Sequence, residues 1–197
     1  MYFAVTDSLS PETVEPRLRG RFGRPYEHVV STPSTQLLLP PEAPEGALVA
    51  ADEQTAGRGR LGRRWLAPAR TSLLCSLQLR PAVSSERLPE LTGVASRACA
   101  DAIAALTGLE PELKFPNDVL VGNRKVAGIL AEAREQRVVL GIGVNVNITA
   151  DDLPQEVDRA ATSLLVETGQ ELERAELLVE LLERLERRYD AWLSAAP

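Results

Sequence analysis

The chain has 197 residues and a formal net charge of −6, and this length allows one domain with a sizeable core. Its single histidine and two cysteines argue against a metal site built on those residues and against a Ser–His or Cys–His catalytic pair. The acidic balance argues against nucleic-acid binding. The lack of a long apolar run, or of a signal peptide at Met1–Ala4, predicts a cytoplasmic protein with no membrane partner.

The N-terminal part of the chain carries weak local signals. Residues 1–25 contain prolines, glycines and charges with little periodicity, so we expect an extended or partly ordered lead-in to one domain over residues 26–197. Tyr26–Val30 predicts a short strand. Ser34–Leu39 predicts a short helix that ends at two prolines. Helix capping alone would explain the first two residues, Ser34 and Thr35, and a binding role is the alternative.

Two strands and a helix follow. Leu48–Ala51 is apolar and predicts a strand, and Ser72–Leu79 alternates in part and predicts a half-buried strand. Leucines and alanines recur at helical spacing over residues 88–106, and Gly108 is typical of a helix end. The two cysteines lie in apolar stretches and are predicted to be reduced core residues.

A run of hairpins is predicted in the second half of the chain. The strands that we expect are Glu112–Phe115, Val119–Val121, Lys125–Glu132 and Val138–Val146. Turns are predicted at Pro116–Asp118 and Gly122–Asn123, and a further connection near Glu135–Gln136. Consecutive hairpins indicate an antiparallel meander. The glycines at 128, 141 and 143 mark places where a ligand or another backbone comes close, and Glu171–Ser194 predicts an amphipathic helix.

The segment that follows the Leu48–Ala51 strand predicts an anion site. Residues 57–65 hold three glycines and four arginines, and no acid occurs between Glu53 and Glu86. The spacing Gly57-x-Gly59-x-x-Gly62 matches the dinucleotide fingerprint. However, Pro68 argues against the helix that should follow, and no acid lies about twenty positions on. A solvated surface loop is the simpler interpretation when this segment is taken alone.

Lysine and asparagine are scarce and clustered. Of the 22 basic residues only Lys114 and Lys125 are lysines, which suggests that both positions need a compact ammonium group. The same region holds every asparagine of the chain, at positions 117, 123, 145 and 147.

Three motifs in order carry a family resemblance. Gln54–Trp65, Lys114–Asp118 and Lys125–Leu130, together with Gly143–Asn145, resemble the biotin protein ligases over roughly residues 26 to 193. The resemblance implies an α+β fold with a mixed, largely antiparallel sheet backed by helices, related to class II aminoacyl-tRNA synthetases. The predicted meander supports that fold class independently.

The resemblance also implies a two-step reaction. Biotin and MgATP would give biotinyl-5′-adenylate and pyrophosphate, and a lysine of a biotin carboxyl carrier domain would then displace AMP. The implied cofactors are ATP and Mg²⁺, and the implied partners are biotin, ATP and the carrier domain. The metal ligands and a homodimer are left open.

Site roles are implied in three overlapping groups. The residues matched to the reacting centre are Lys125, Arg60, Arg58, Asp118 and Lys114. Those matched to biotin are Ser34, Thr35, Gln54, Gly57, Arg58, Gly59, Arg60, Lys125 and Gly128. Those matched to the nucleotide are Arg58, Arg63, Trp65, Asn117, Lys125 and Asn145.

The chain departs from the family pattern in three places. Phe115 replaces a tryptophan, Gln36 replaces an asparagine, and the chain ends shortly after Trp192. From that end we expect a catalytic domain without the C-terminal β-barrel and with weaker nucleotide binding. The short segment before residue 26 predicts that the N-terminal DNA-binding domain of the repressor-ligases is also missing.

Other functions stay open at this point. A lipoate or octanoate ligase would share the fold, although its arginine pair ahead of three glycines is absent. A binding protein without catalysis, left after loss of the barrel, is a second alternative. The loop arginines could also bind nucleic acid, which the net charge of −6 disfavours.

Overall fold

The computed structural model describes residues 7–134, 137–154 and 160–195. The expected absence of a signal peptide at Met1–Ala4 and the expected connection at Glu135–Gln136 lie outside the described residues. The strands are β1 (Tyr26–Thr32), β2 (Leu48–Gln54), β3 (Gly57–Arg58), β4 (Arg64–Trp65), β5 (Ser72–Leu79), β6 (Glu112–Lys114), β7 (Asp118–Val121), β8 (Arg124–Arg134) and β9 (Arg137–Asn145). The α-helices are α1 (Pro11–Val14), α2 (Glu90–Thr107), α3 (Leu164–Thr168) and α4 (Arg174–Ser194).

One mixed sheet organises the described residues. Its order is β1-β2-β5-β9-β8-β7-β6, and β3 and β4 form a separate two-stranded hairpin. Strands β1 and β2 pair in parallel, and the other neighbours pair antiparallel. The predicted α+β class and the meander from β6 to β9 are therefore confirmed.

The central strand β5 is more buried than its sequence predicts. All eight of its residues are buried, whereas partial alternation predicted a half-buried strand. One face, which carries Leu73 and Leu77, joins the main core with α2 and α4. The other face carries Ser76 and Gln78, which bond to the segment over residues 35–43. A second layer thus covers the face that alternation would leave to solvent.

Residues 7–25 are ordered, contrary to the expected extended or partly ordered lead-in. They include α1, and Leu9, Val14, Leu18 and Phe22 are buried in the main core. The hydroxyl of Tyr26 donates a hydrogen bond to the Leu9 carbonyl at 2.6 Å. Short turns and prolines give this segment no helical or strand period, so only its packing orders it. The domain boundary at residue 26 stays a prediction.

The two long helices agree with the sequence pattern. Helix α2 ends at Gly108, whose φ of 71° is the left-handed conformation that glycine supplies. Helix α4 buries a leucine stripe together with Tyr189. Among the described helices none is both long and apolar enough to cross a bilayer. Cys75 and Cys99 are free and buried, as predicted.

Candidate functional site

The arginine-rich segment folds as a hairpin. Gly57 pairs with Trp65 and Arg58 with Arg64, and the Gly59 amide donates to the Arg63 carbonyl at 2.8 Å. A Cβ at Gly57 would lie 2.5 Å from the Trp65 carbonyl oxygen, so only glycine fits at that position. Strand β4, and no helix, follows Gly62. The dinucleotide fingerprint is therefore a coincidence of spacing, as its context predicted.

A pocket of about 890 Å³ lies beneath this hairpin and gathers most of the predicted site residues. The predicted residues that line it are Ser34, Thr35, Gln54, Arg58, Gly59, Arg60, Arg63, Trp65, Lys114, Asn117, Asp118, Lys125 and Gly128. They come from five separate parts of the chain: the turn after β1, the end of β2, the hairpin, the β6–β7 turn and strand β8. A pocket assembled from all three sequence motifs is a suitable default binding site.

One wall of the pocket is a network of polar groups. The amide and hydroxyl of Thr35 donate to Gln54 Oε1 at 2.8 and 3.0 Å, and the same hydroxyl lies 2.8 Å from Ser76 Oγ. Ser34 precedes a 3₁₀ turn but makes no side-chain cap bond, so capping does not explain it. Its buried Oγ has no hydrogen-bond partner among the described residues, which is costly unless a ligand supplies one.

The sheet aligns charged and bare positions across four strands. In register, Lys114 lies opposite Asp118, Asp118 opposite Gly128, and Gly128 opposite Gly143. Directly opposite residues share a face of the sheet. The row therefore places an ammonium and a carboxylate beside two positions that have no side chain.

Lys125 lines the pocket and contacts two other lining residues. Its Nζ is 3.6 Å from Asp118 Oδ1 and 5.4 Å from the centroid of the Trp65 ring. The Asn117 amide donates to the same Asp118 oxygen at 3.2 Å. The side chain of Lys125 is 15% exposed, so its charge acts in a site with limited access to water.

Side chains from other parts of the chain pack against the glycines of β8 and β9. A Cβ at Gly143 would lie 2.7 Å from Cε2 of Trp65, and one at Gly128 would lie 3.0 Å from Cζ3. A Cβ at Gly141 would lie 2.6 Å from Nε2 of Gln36. The glycines mark close approaches, as predicted, but in this structure the approaching groups are the Trp65 indole and the Gln36 amide.

Two hairpin arginines are held by partners outside the hairpin. Arg58 forms a two-point ion pair with Glu132, with N–O distances of 3.2 and 3.1 Å. Arg60 donates to Asn117 Oδ1 at 3.2 Å, which connects the hairpin to the β6–β7 turn. These contacts fix where the hairpin lies over the pocket.

Two predicted site residues are not part of the pocket lining. Asn145 is 3% exposed, and its amide donates to the Thr162 carbonyl at 2.9 Å. It thus connects the end of β9 to the segment that also pairs with Lys125. Gly57 faces a neighbouring groove beside Glu132. The ligand contacts expected of these two residues stay predictions, and the buried Oδ1 of Asn145 has no hydrogen-bond partner among the described residues.

Two candidate functional residues are not predicted as site residues by the sequence. Gln36, noted only as a departure from the family pattern, lines the pocket and donates from Nε2 to the Leu130 carbonyl at 3.0 Å. Glu132 has no distinguishing spacing, and only the fold brings it to Arg58. Among the described residues, no group of three or more histidines, cysteines or acids is arranged to hold a metal.

The family model described as "Biotin/lipoate A/B protein ligase family" matches residues 28–148, which contain the pocket motifs. The chain belongs to this family. It is 40% identical to the bifunctional ligase/repressor BirA of Bacillus spizizenii, over 86% of this chain and 54% of that protein. It is 38% identical to the biotin--[acetyl-CoA-carboxylase] ligase of Mycobacterium tuberculosis, over 97% of this chain and 76% of that protein.

Solved structures of this ligase family share the fold. The biotin protein ligase of Aquifex aeolicus in complex with biotin and ATP matches with a TM-score of 0.78 and 32% identity, over 86% of this chain and 72% of that one. The chain spans about half the length of the first curated relatives, with 54% and 48% of their residues covered. The predicted biotin-ligase resemblance and fold class are both confirmed.

Proposed function

We propose that this chain activates biotin with MgATP as biotinyl-5′-adenylate and transfers the biotinyl group to a lysine of a carboxyl carrier domain. The observation that carries the proposal is that the polar wall of Ser34, Thr35 and Gln54, the Lys125 side chain and the hairpin arginines all line one pocket. The names of the relatives, which include biotin ligases and a complex with biotin and ATP, support the same substrates.

The residues fit the charges that the reaction develops. In the first step a biotin carboxylate oxygen attacks the α-phosphorus of ATP, and pyrophosphate leaves. Lys125 and the guanidinium groups of Arg58 and Arg60 line the pocket and can stabilise the added negative charge on the α-phosphoryl oxygens. Arg58 would have to leave Glu132 in order to contact the ligand, so the Arg58–Glu132 ion pair would belong to the ligand-free state.

The second step needs an uncharged lysine amine at the mixed anhydride. The amine attacks the acyl carbon, AMP leaves with the bonding pair, and the nitrogen loses a proton. Asp118 lines the pocket beside Lys125 and is the carboxylate that can orient the incoming amine. The hairpin above it limits water, which would otherwise hydrolyse the adenylate.

The ATP would bring Mg²⁺ with it. Magnesium at nucleotide sites is usually held by phosphate oxygens, water and one or two carboxylates, and it neutralises phosphate charge. Asp118 supplies one carboxylate within the pocket. A site of this kind does not need the larger cluster of protein ligands that a structural metal requires.

The test is mass spectrometry of a carrier domain. The chain is incubated with biotin, MgATP and an apo carrier domain, and the reaction is repeated with lipoate in place of biotin. We expect one biotinyl group on the carrier and pyrophosphate release only with biotin. Equal modification with lipoate would indicate a lipoyl ligase, and binding of biotin without pyrophosphate release would indicate a binding protein without catalysis.

A further inference from the structure

Three of the six large apolar side chains that are exposed among the described residues line the pocket. The six are Val30, Leu37, Leu61, Leu66, Leu113 and Phe115. Leu61, Leu66 and Phe115, which we call the mouth patch, line the pocket with exposed fractions of 88%, 55% and 90%. Leu113 lies two positions before Phe115 on the edge strand β6. Single exposed leucines are ordinary, but a cluster at one opening indicates a contact surface.

The two most exposed members belong to parts of the chain that are held together. Arg60 of the hairpin donates to Asn117 of the β6–β7 turn at 3.2 Å. Leu61 follows Arg60 directly, and Phe115 precedes Asn117 by two positions, so the bond holds together the two segments that carry these side chains, both of which line the pocket. The patch therefore draws on two elements that are distant in sequence.

The backbone at Leu61 is strained. Its φ is 57°, a left-handed conformation that costs an apolar residue about 1 kcal/mol or more, and its side chain gains no burial in return. A strained and exposed leucine has no structural benefit in the isolated chain. Strain of this kind is common where a segment is shaped for a ligand or partner.

The proposed reaction requires a protein surface at this opening. A lysine side chain spans only about 6 Å from its Cα, so an attacking carrier lysine brings its own backbone to the mouth of the pocket. Residues on either side of that lysine then lie against the opening, where the mouth patch is exposed. The cations Arg60, Arg63, Arg64 and Lys114 also line the pocket at this opening.

We propose that the mouth patch is the docking surface for the carrier domain, with Phe115 and Leu61 as its apolar anchors. This inference rests on the proposed function. The partner that fits has an apolar residue beside the target lysine and acidic groups around it, because the patch is apolar and its surroundings are cationic. The residues expected to contact the small substrates, such as Ser34, Thr35 and Lys125, are far less exposed than the patch, so these substrates are not expected to need it.

The test separates docking from adenylation. Phe115→Ser and Leu61→Asn remove the anchors, and asparagine tolerates the left-handed backbone at position 61. Val30→Ser is the matched control, since Val30 is 74% exposed on β1 at the other end of the sheet. Adenylate formation is measured as pyrophosphate release with hydroxylamine as a small nucleophile. Docking is measured as the KM for an apo carrier domain and by direct titration of that domain.

We expect Phe115→Ser and Leu61→Asn to raise the KM for the carrier about tenfold each, as for a central interface anchor. The hydroxylamine-trapped rate should stay within about twofold of the wild type, and Val30→Ser should change neither quantity. Phe115→Asp should be impaired more than Phe115→Lys, because the partner is expected to be acidic.

Four results would overturn the inference: an unchanged carrier KM in both variants, an equal loss in Val30→Ser, a loss that falls on the hydroxylamine-trapped rate, or a stronger effect of Phe115→Lys. A change from dimer to monomer in Phe115→Ser, with carrier KM unaltered, would assign the patch to a second copy of this chain. If the wild type binds the carrier and Phe115→Ser does not, docking stands even when no adenylate forms, and only the proposed function fails. If the wild type neither adenylates biotin nor binds the carrier, both are rejected.

Discussion

Lys125 is notable both because lysine is rare in this chain and because of its place in the pocket. It is one of two lysines in the chain, and it faces both Asp118 and the ring of Trp65. An ammonium can sit between a carboxylate and an aromatic face and still reach a ligand oxygen. A planar guanidinium is wider and would need a different arrangement of these neighbours.

Replacing Lys125 should therefore abolish most of the chemistry while leaving the fold intact. We expect Lys125→Ala to slow pyrophosphate release on the order of 10²–10³-fold, by analogy with the loss of one pre-organised charge stabiliser. Lys125→Arg should also be impaired. The neighbouring cation Arg124, which pairs with Glu167 outside the pocket, provides the control Arg124→Ala. Near wild-type release by both Lys125 variants would refute the assignment.

Substitution of Gly143 tests whether the Trp65 indole needs a glycine beneath it. A methyl group at this position would meet the ring at 2.7 Å, so Gly143→Ala should displace Trp65 and weaken binding of biotin or of an ATP analogue about tenfold. Gly93→Ala is the control, because nothing lies within 4 Å of its added carbon inside α2. That variant should gain about 0.5–1 kcal/mol of stability with unchanged affinities. Unchanged calorimetric titrations for Gly143→Ala would contradict the expectation.

At the scale of elements, the polar contacts that hold the β3–β4 hairpin are weak. It has two paired positions, and its Arg58–Glu132 pair is partly exposed, with side-chain exposures of 42% and 24%. Exposed ion pairs contribute about 0.2–1 kcal/mol, so the Trp65 indole on Gly128 and Gly143 is the main contact that opening would lose. Helix α2, in contrast, buries a full face against the sheet.

We expect the loop over residues 55–69 to open in the free chain and to close on biotin or the adenylate. Trypsin should cleave after Arg58, Arg60, Arg63 or Arg64 quickly without ligand and slowly with it. Arg97 is exposed within α2 and is the internal control, with slow cleavage in both states. Glu132→Gln should speed cleavage of the free chain by up to about fivefold. Equal cleavage with and without ligand would argue against closure.

At the scale of the whole molecule, the N-terminal segment closes the core against α4. Arg17, Arg19 and Arg21 each pair with acids on or just before that helix. Phe22 is 1% exposed, and its ring centroid lies 5.5 Å from that of Tyr189. A segment with no periodicity of its own thereby completes the hydrophobic core.

Truncation of Phe22 should be costly for that reason. Phe22→Ala is expected to lower the free energy of unfolding by about 3–5 kcal/mol, since it leaves a cavity between the segment and α4. The control is Leu37→Ala, whose side chain is 57% exposed and should change stability by about 0.5 kcal/mol at most. Urea unfolding measures both. A loss below about 1 kcal/mol for Phe22→Ala would show that residues 7–25 are dispensable to the core.

The two buried thiols report on global unfolding. Burial raises the pKa of Cys75 and Cys99 to about 12, from the ordinary thiol value of 9.0. The unfolded chain therefore loses these protons first as the pH rises. The contribution of the two protonated thiols to the free energy of unfolding is therefore fully present below about pH 9, and it is lost as the pH rises through about 12.

We expect the free energy of unfolding to fall between about pH 9 and pH 12, measured by urea titration. Native protein at pH 8 should resist alkylation at both cysteines, and unfolded protein should react at both. Replacing each cysteine by alanine should flatten the pH dependence in that window. Rapid alkylation of the folded chain would disprove the burial of these thiols.

The sequence by itself determined the features that depend on local chemistry. Turn residues such as Gly122 and Asn123 located the hairpins, Gly108 located the end of α2, and the spacing of apolar residues located α2 and α4. The three motifs predicted most of the pocket lining through the family resemblance. Each of these signals lies within a few residues of the feature that it predicts.

Only the tertiary structure decided which distant groups meet. The burial of β5 on both faces, the order of residues 7–25 and the contact of Trp65 with Gly143 all depend on packing between elements far apart in the chain. Asn145 belongs to a family motif, and only the fold brings its amide to the Thr162 carbonyl. A local sequence pattern shows which side chains a segment carries. Which residues they contact depends on how the sheet and the helices pack to bury apolar surface, and that involves the whole chain.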